Sequence, residues 1–173
     1  QALLDPFDTE LLDRLDIAFA CALADNLLVT AGDDADNDIS KLLDWLLAQM
    51  RAAPKKVPLH LHYRLAEALL FREQFGAARE LLAQLSTPES QAIAAGIDIA
   101  EGRFAEGSTR FEAAWKALAA ETGKRKHLLP PSIAWLYTMA LLAQPEPAVW
   151  AKARKFAAAE SGKREAQPYT FWG

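Results

Sequence analysis

The sequence predicts an all-α chain of about eight helices stacked as antiparallel hairpins. Three observations carry that prediction. Only three valines occur (Val29, Val57, Val149) in a chain that is 51% hydrophobic and rich in Leu and Ala. Strands favour β-branched residues, whereas helices favour Ala and Leu. The apolar residues recur three and four apart, as one face of a helix requires. Pro and Gly fall between these stripes, where a helix starts or stops.

Taken in order, Asp5-Pro6 opens the first helix, because the missing proline N–H costs nothing in a first turn. Leu11, Leu12, Leu15, Phe19, Ala22 and Leu23 form its inward stripe, which runs to about Val29. Gly32 and the acidic loop Asp33 to Asn37 end it. A second helix places Ile39, Leu42, Leu43, Leu46, Leu47 and Met50 on one face, and Pro54 closes it. Pro58 starts a third, with Leu59, Tyr63, Ala66, Leu69 and Leu70. Gln74-Phe75-Gly76 turns the chain into a fourth, Ala77 to Leu85, packed through Ala78, Leu81, Leu82 and Leu85.

Ser86 and Glu89, three apart, read as a capping box for a fifth helix ending at Glu101. Gly102-Arg103-Phe104 forms the next corner, and Phe111, Ala114, Trp115 and Leu118 face inward from the sixth. Beyond the polar stretch Glu121 to His127, Pro130-Pro131 opens a seventh helix with Ile133, Leu136, Tyr137 and Ala140. Pro145-Glu146-Pro147 precedes an eighth, with Val149, Ala153, Phe156 and Ala157 inward. Of the tryptophans, Trp45, Trp115 and Trp135 lie beside these stripes and are expected in the core. Trp150 and Trp172 have no clear side.

Two of the hairpins repeat. With Phe75 laid over Phe104, an offset of 29 residues, Ala66 falls on Ala95, Glu73 on Gly102, Leu82 on Phe111 and Leu85 on Ala114. This pattern resembles the tetratricopeptide repeat, in which small residues let paired helices approach and an aromatic wedges the corner. The period is shorter than the usual ~34 residues, and Gly107 stands where that family has Ala. The resemblance implies a right-handed array of hairpins with an extended binding surface. The chain is accordingly expected to be one helical-repeat domain cut from a longer protein. Its parts are an acidic helical pair (1–53), two tetratricopeptide-like hairpins (57–120), a basic loop (121–129), a final hairpin (130–160) and a tail or start of a next unit (161–173).

A second resemblance rests on Phe111 to Leu118, Thr122 to Lys126, Leu129-Pro130, Trp135 to Tyr137 and Ala140 to Leu142. This stretch looks like the helical region ahead of the motor in large proteobacterial Snf-family DEAD/DEAH-box helicase-like ATPases. It implies an accessory, non-catalytic segment of a nucleic-acid-dependent ATPase.

The residues themselves offer no recognisable catalytic set. A phosphate-binding loop needs two glycines followed by Lys and a hydroxyl. Around Gly123-Lys124, Leu118 occupies the first glycine position and Arg125 the hydroxyl position. An EF-hand beginning at Asp34 would find Ile39 in place of its glycine and Trp45 in place of its bidentate Glu. His60 and His62 lie on different sides of a helix and cannot share a metal there. Cys21, the sole cysteine, sits in an apolar helical run and is expected to be buried and inert. No disulfide can form, which suits a cytoplasmic protein, and no apolar run approaches the ~20 residues a membrane span needs. No metal or other cofactor is expected.

Charge is the remaining signal. Residues 1–50 hold eleven acids against two bases, whereas residues 51–173 hold seventeen bases against twelve acids. Lys124, Arg125, Lys126 and His127 form the densest basic run, and Arg154 and Lys155 add to it from the last helix. Such a run suits a phosphate, a nucleic-acid backbone or an acidic protein surface. It equally suits a solvated turn or a bridge to the acidic first helices. Two readings follow: a protein, peptide or neighbouring-domain interaction module, or a nucleic-acid-binding accessory domain acting through the basic loop. Base-specific recognition is not expected, because aromatics do not interleave with the bases.

Overall fold

The computed structural model of the chain describes residues 12–30, 36–53, 57–121 and 129–164. Within them lie eight α-helices and no strand. They are α1 (Ile17–Thr30), α2 (Asp36–Ala52), α3 (Leu59–Phe71), α4 (Phe75–Ala83), α5 (Pro88–Ala100), α6 (Phe104–Glu121), α7 (Pro131–Leu142) and α8 (Pro147–Arg164). The chain divides into two compact units, Gln1–Gln84 and Leu85–Gly173. The boundary falls between the two hairpins that the 29-residue offset relates.

In the first unit α1 pairs with α2 and α3 with α4, and the hairpins stack through α1 on α3 and α2 on α4. Leu42, Leu43, Leu46, Leu47 and Met50 of α2 are buried, as their spacing requires, as are Tyr63, Ala66, Leu69 and Leu70 of α3. Arg51 of α2 reaches Glu80 of α4 at 2.6 Å, an exposed pair of the kind that contributes little to stability.

The first helix departs from expectation. A bend at Asp13–Asp16 lies inside the predicted span, and the Asp16 carboxylate accepts hydrogen bonds from the N–H groups of Ala18 (2.9 Å) and Phe19 (3.1 Å). An aspartate in that position satisfies amides that a helix start leaves unbonded. The described helix therefore starts at Ile17, and its buried face is not the predicted one. Ala20, Cys21 and Ala24 face inward, while Phe19 (59% exposed) and Ala22 face out. Two smaller corrections apply in this unit. Helix α2 already begins at Asp36, inside the stretch read as an acidic loop, and Leu59, at the very start of α3, is exposed.

In the second unit α5 pairs with α6 and α7 with α8, and α7 packs on both α5 and α6. Helix α5 is buried on nearly every side, through Ala92, Ile93, Ala95, Gly96, Ile97 and Ile99, with the polar Glu89, Ser90 and Asp98 buried as well. Its cap is displaced by one residue from the expected Ser86/Glu89 box. Thr87 Oγ1 accepts from Ser90 N–H (3.2 Å), and Ser90 Oγ accepts from Thr87 N–H (3.2 Å), with Pro88 in the first turn.

The two related corners have the same geometry. Glu73 (φ 59°) and Gly102 (φ 84°) both adopt the left-handed conformation. At the first corner Gln74 N–H donates to Leu69 O (2.9 Å) and Glu73 N–H to Leu70 O (3.0 Å). At the second, Arg103 N–H donates to Asp98 O (2.9 Å) and Gly102 N–H to Ile99 O (2.9 Å). Each residue lies 29 positions from its counterpart. Both corners are Schellman motifs, in which a left-handed residue lets the chain close over the last carbonyls. The following helices begin at Phe75 and Phe104, which therefore lie inside α4 and α6 and not in the turns. Ala66 and Ala95 are both fully buried, as are the hairpin-facing Ala78 and Gly107.

Candidate interaction surface

The second unit is held together by an aromatic cluster from three helices. The Phe111 ring of α6 stacks on Tyr137 of α7 (centroids 4.3 Å apart) and on Trp115 (5.6 Å). Phe156 of α8 meets Tyr137, Trp115 and Phe111 edge-on at 4.9, 5.3 and 5.9 Å. These separations are those at which offset and edge-to-face rings attract. The buried Tyr137 hydroxyl donates to Glu112 Oε1 (3.0 Å), and Lys152 Nζ of α8 lies 2.6 Å from the same oxygen. Burial, followed by the bond to Glu112, pushes the Tyr137 hydroxyl well above its ordinary pKa. It thus stays protonated and donates.

This cluster fixes the rotation of α7. Tyr137 turns inward with Ile133, Ala134, Ala140 and Leu141, and Ile133 Cδ1 would lie 3.3 Å from a Cβ on Gly96 of α5. Trp135, Met139 and Leu142 consequently point outward, 38, 45 and 47% exposed. Their i, i+4, i+7 spacing lines them up on one face. Trp135 was expected in the core. Helix α7 is apolar all round, so its periodicity carries no phase, and the neighbours decide which side is covered. Trp150 at the start of α8 is also exposed (44%), and its indole N–H is anchored to Gln144 O across the corner (2.6 Å).

A second cluster was also unforeseen. Asp98 of α5 is buried, with Oδ1 2.5 Å from Arg103 Nη2 and Oδ2 2.5 Å from Arg110 Nη1. Arg103 also pairs with Glu101 and lies 3.8 Å from Glu106. The hydrogen bonds to Asp98 and then to Glu101 raise the Arg103 pKa. Both guanidiniums keep about half their surface in water, so the group clamps α5 to α6. The only sequence signal was an acid followed by bases five and twelve positions later, which no local motif singles out.

Of the basic residues singled out in the sequence, Lys124, Arg125, Lys126 and His127 lie outside the described residues. Arg154 and Lys155 are exposed on α8, with no ion pair among the described residues. Of the histidines, His60 is exposed and His62 fully buried. Among the described residues no three His, Cys, Asp or Glu side chains gather as metal ligands, and no helix is long and apolar enough to cross a membrane. No protein-family model matches the chain, and neither a curated protein nor a solved structure matches it.

Proposed function

We propose that this chain is a non-catalytic protein-interaction or scaffolding module whose docking surface is the outward face of α7. One observation carries the reading. Trp135, Met139 and Leu142 form an exposed apolar stripe on a helix whose inward face is locked by the aromatic cluster. Large apolar side chains clustered on a rigid helix are what an interface needs at its centre. Stacked hairpins suit this role, because each presents one helix face to a partner without disturbing its neighbours. The resemblance of residues 111–142 to the helical region preceding a helicase-like motor supports an accessory role beside such an ATPase, in the cytoplasm.

A selection from random peptides of about sixteen residues tests the reading, since an amphipathic helix in a groove is a common recognition mode. The intact chain should retain a set of peptides that a Trp135→Ser/Met139→Ser/Leu142→Ser variant, folded by circular dichroism, does not. A retained set that ignores the stripe would refute it.

The second reading, nucleic-acid backbone binding, is favoured by exposed Arg154 and Lys155 and by the run Lys124 to His127. Such binding must weaken steeply with salt. Labelled single-stranded and duplex DNA titrated at two salt concentrations, against a Lys124→Ala/Arg125→Ala/Lys126→Ala variant, decides it. Absence of binding at low salt excludes it.

A further inference from the structure

Helix α8 is the least embedded element of the second unit. Helices α5, α6 and α7 pack on one another, and Ile133 of α7 lies against Gly96 of α5. From Pro147 to Glu160 only Ala153 and Glu160 are buried, while Val149, Phe156 and Ala157 are half-buried. An element with so few buried contacts opens at a lower free energy than the core beside it. Six alanines between Ala148 and Ala159 favour the helix intrinsically, so α8 depends less on packing to stay helical.

What holds α8 is a small set of anchors on one face. Val149, Ala153, Phe156 and Glu160 recur four, three and four apart, a single helical stripe. The Phe156 ring meets Tyr137, Trp115 and Phe111 edge-on. Lys152, four residues earlier, reaches Glu112 at 2.6 Å. The seat that receives them belongs entirely to α6 and α7. Phe111 stacks on Tyr137 and on Trp115, and the Tyr137 hydroxyl holds Glu112 at 3.0 Å. None of these contacts involves α8. The seat thus keeps three rings and an oriented carboxylate of its own. A helix laid by i, i+4 and i+7 anchors against such an apolar site is a common mode of recognition between separate chains.

We infer that α8 is a releasable strap, an internal occupant of this seat that a helix from a partner protein displaces. The partner helix is amphipathic and presents an aromatic residue with Lys or Arg four positions before it, the pair that Phe156 and Lys152 supply. The aromatic meets the three rings, and the base takes the place of Lys152 on Glu112, which would repel an acid. The seat uses the side of α7 that carries Tyr137, so it does not depend on the Trp135, Met139 and Leu142 stripe. The strap regulates the seat by competition. While α8 is docked, the partner's apparent affinity falls with the fraction of chains that are open.

Hydrogen exchange of the full 173-residue chain, read by mass spectrometry, tests the release. Amides of α8 should exchange at least about a hundredfold faster than those of α5, through an opening that leaves α5 and α6 protected. Exchange of α8 and α5 at one common rate overturns the strap. A labelled peptide of residues 147–164 tests the seat. It should bind a Phe156→Ser chain, folded by circular dichroism, at least about tenfold more tightly than the parent, whose own anchor is in place. The same peptide carrying Phe156→Ser or Lys152→Glu should bind that chain at least about tenfold more weakly. No binding to the Phe156→Ser chain, or equal binding of all three peptides, overturns the partner helix. A dimer of the parent chain by sedimentation, abolished by Phe156→Ser, would replace the partner by α8 of a second copy.

Discussion

Gly107 of α6 lies so close to Ile99 of α5 that a Cβ in place of its hydrogen would stand 2.6 Å from Ile99 Cγ1. The same Cβ would also meet the backbone, with Ala95 O at 3.0 Å and Ile99 N at 3.1 Å. A side chain can rotate away from such a contact, but a helix backbone has to translate. Gly107 is therefore what lets α5 and α6 approach closely enough for Arg103 and Arg110, on either side of it, to reach Asp98. Its place in the repeat pattern, where tetratricopeptide repeats carry Ala, is explained by this contact.

Gly107→Ala should accordingly destabilise the second unit. Alanine gains about 1 kcal/mol of helix propensity, but overpacking a tight contact costs about 1–3 kcal/mol. A net loss of up to about 2 kcal/mol is expected in urea unfolding followed by tryptophan fluorescence. Gly76→Ala in α4, where a Cβ would meet nothing within 4 Å, is the control and should stabilise by about 0.5 kcal/mol. Equal behaviour of the two variants would contradict the close approach.

The paired corners give opposite predictions for residues 29 apart. Glu73 holds a left-handed conformation that costs a side-chain-bearing residue about 1–2 kcal/mol, whereas Gly102 adopts it freely. Glu73→Gly should raise stability by about 0.5–1 kcal/mol, the gain being reduced by the added freedom of the unfolded chain. Gly102→Ala should lower it by about 1 kcal/mol. Thermal melts of both variants check this, and a loss on Glu73→Gly would count against the shared corner geometry.

The position of the α5 cap is open to a direct comparison. Thr87→Ala removes the acceptor for Ser90 N–H and should cost about 1 kcal/mol. Ser86→Ala, one residue earlier and exposed, should stay within about 0.5 kcal/mol of the parent. The reverse order would restore the Ser86/Glu89 box.

Cys21 should be inert until the first unit opens. Burial, then the nearby Asp16 carboxylate, pushes its thiol from 9.0 up to about 11. Near pH 8 almost no thiolate is present in the folded chain, so a disulfide-exchange reagent should react slowly and accelerate in denaturant. Because the folded pKa exceeds the unfolded one, the unfolded chain releases its proton first as pH rises. The contribution to stability is complete below about pH 9 and is lost progressively between about 9 and 11. Cys21→Ala should flatten that alkaline decline in a series of melts.

Much of the fold was legible in the sequence because local rules and burial agree. In α2, Leu42, Leu43, Leu46, Leu47 and Met50 sit against a polar remainder, so the stripe has one phase. The 29-residue offset likewise pairs Glu73 with Gly102, the two residues that adopt the left-handed conformation, although the sequence reads the first corner one residue late, at Gln74-Phe75-Gly76. The Ser86/Glu89 spacing fits the usual box, yet the cap forms one residue later, at Thr87 and Ser90, where Pro88 occupies the first turn. Asp16 similarly interrupts a run of apolar residues whose spacing alone continues through it.

The apolar stripes, the corners and the all-helical class were thus set by the order of residues along the chain, since each depends on neighbours within about five positions. The outward face of α7 and the Asp98 clamp were decided by tertiary structure alone. An evenly apolar helix has no intrinsic inside, and Asp98 is held by guanidiniums from the corner (Arg103) and from the next helix (Arg110). Which side meets water depends on Phe111, Phe156 and Gly96, residues 19 to 37 positions from Tyr137 or Ile133, and such distant contacts leave no local pattern to read.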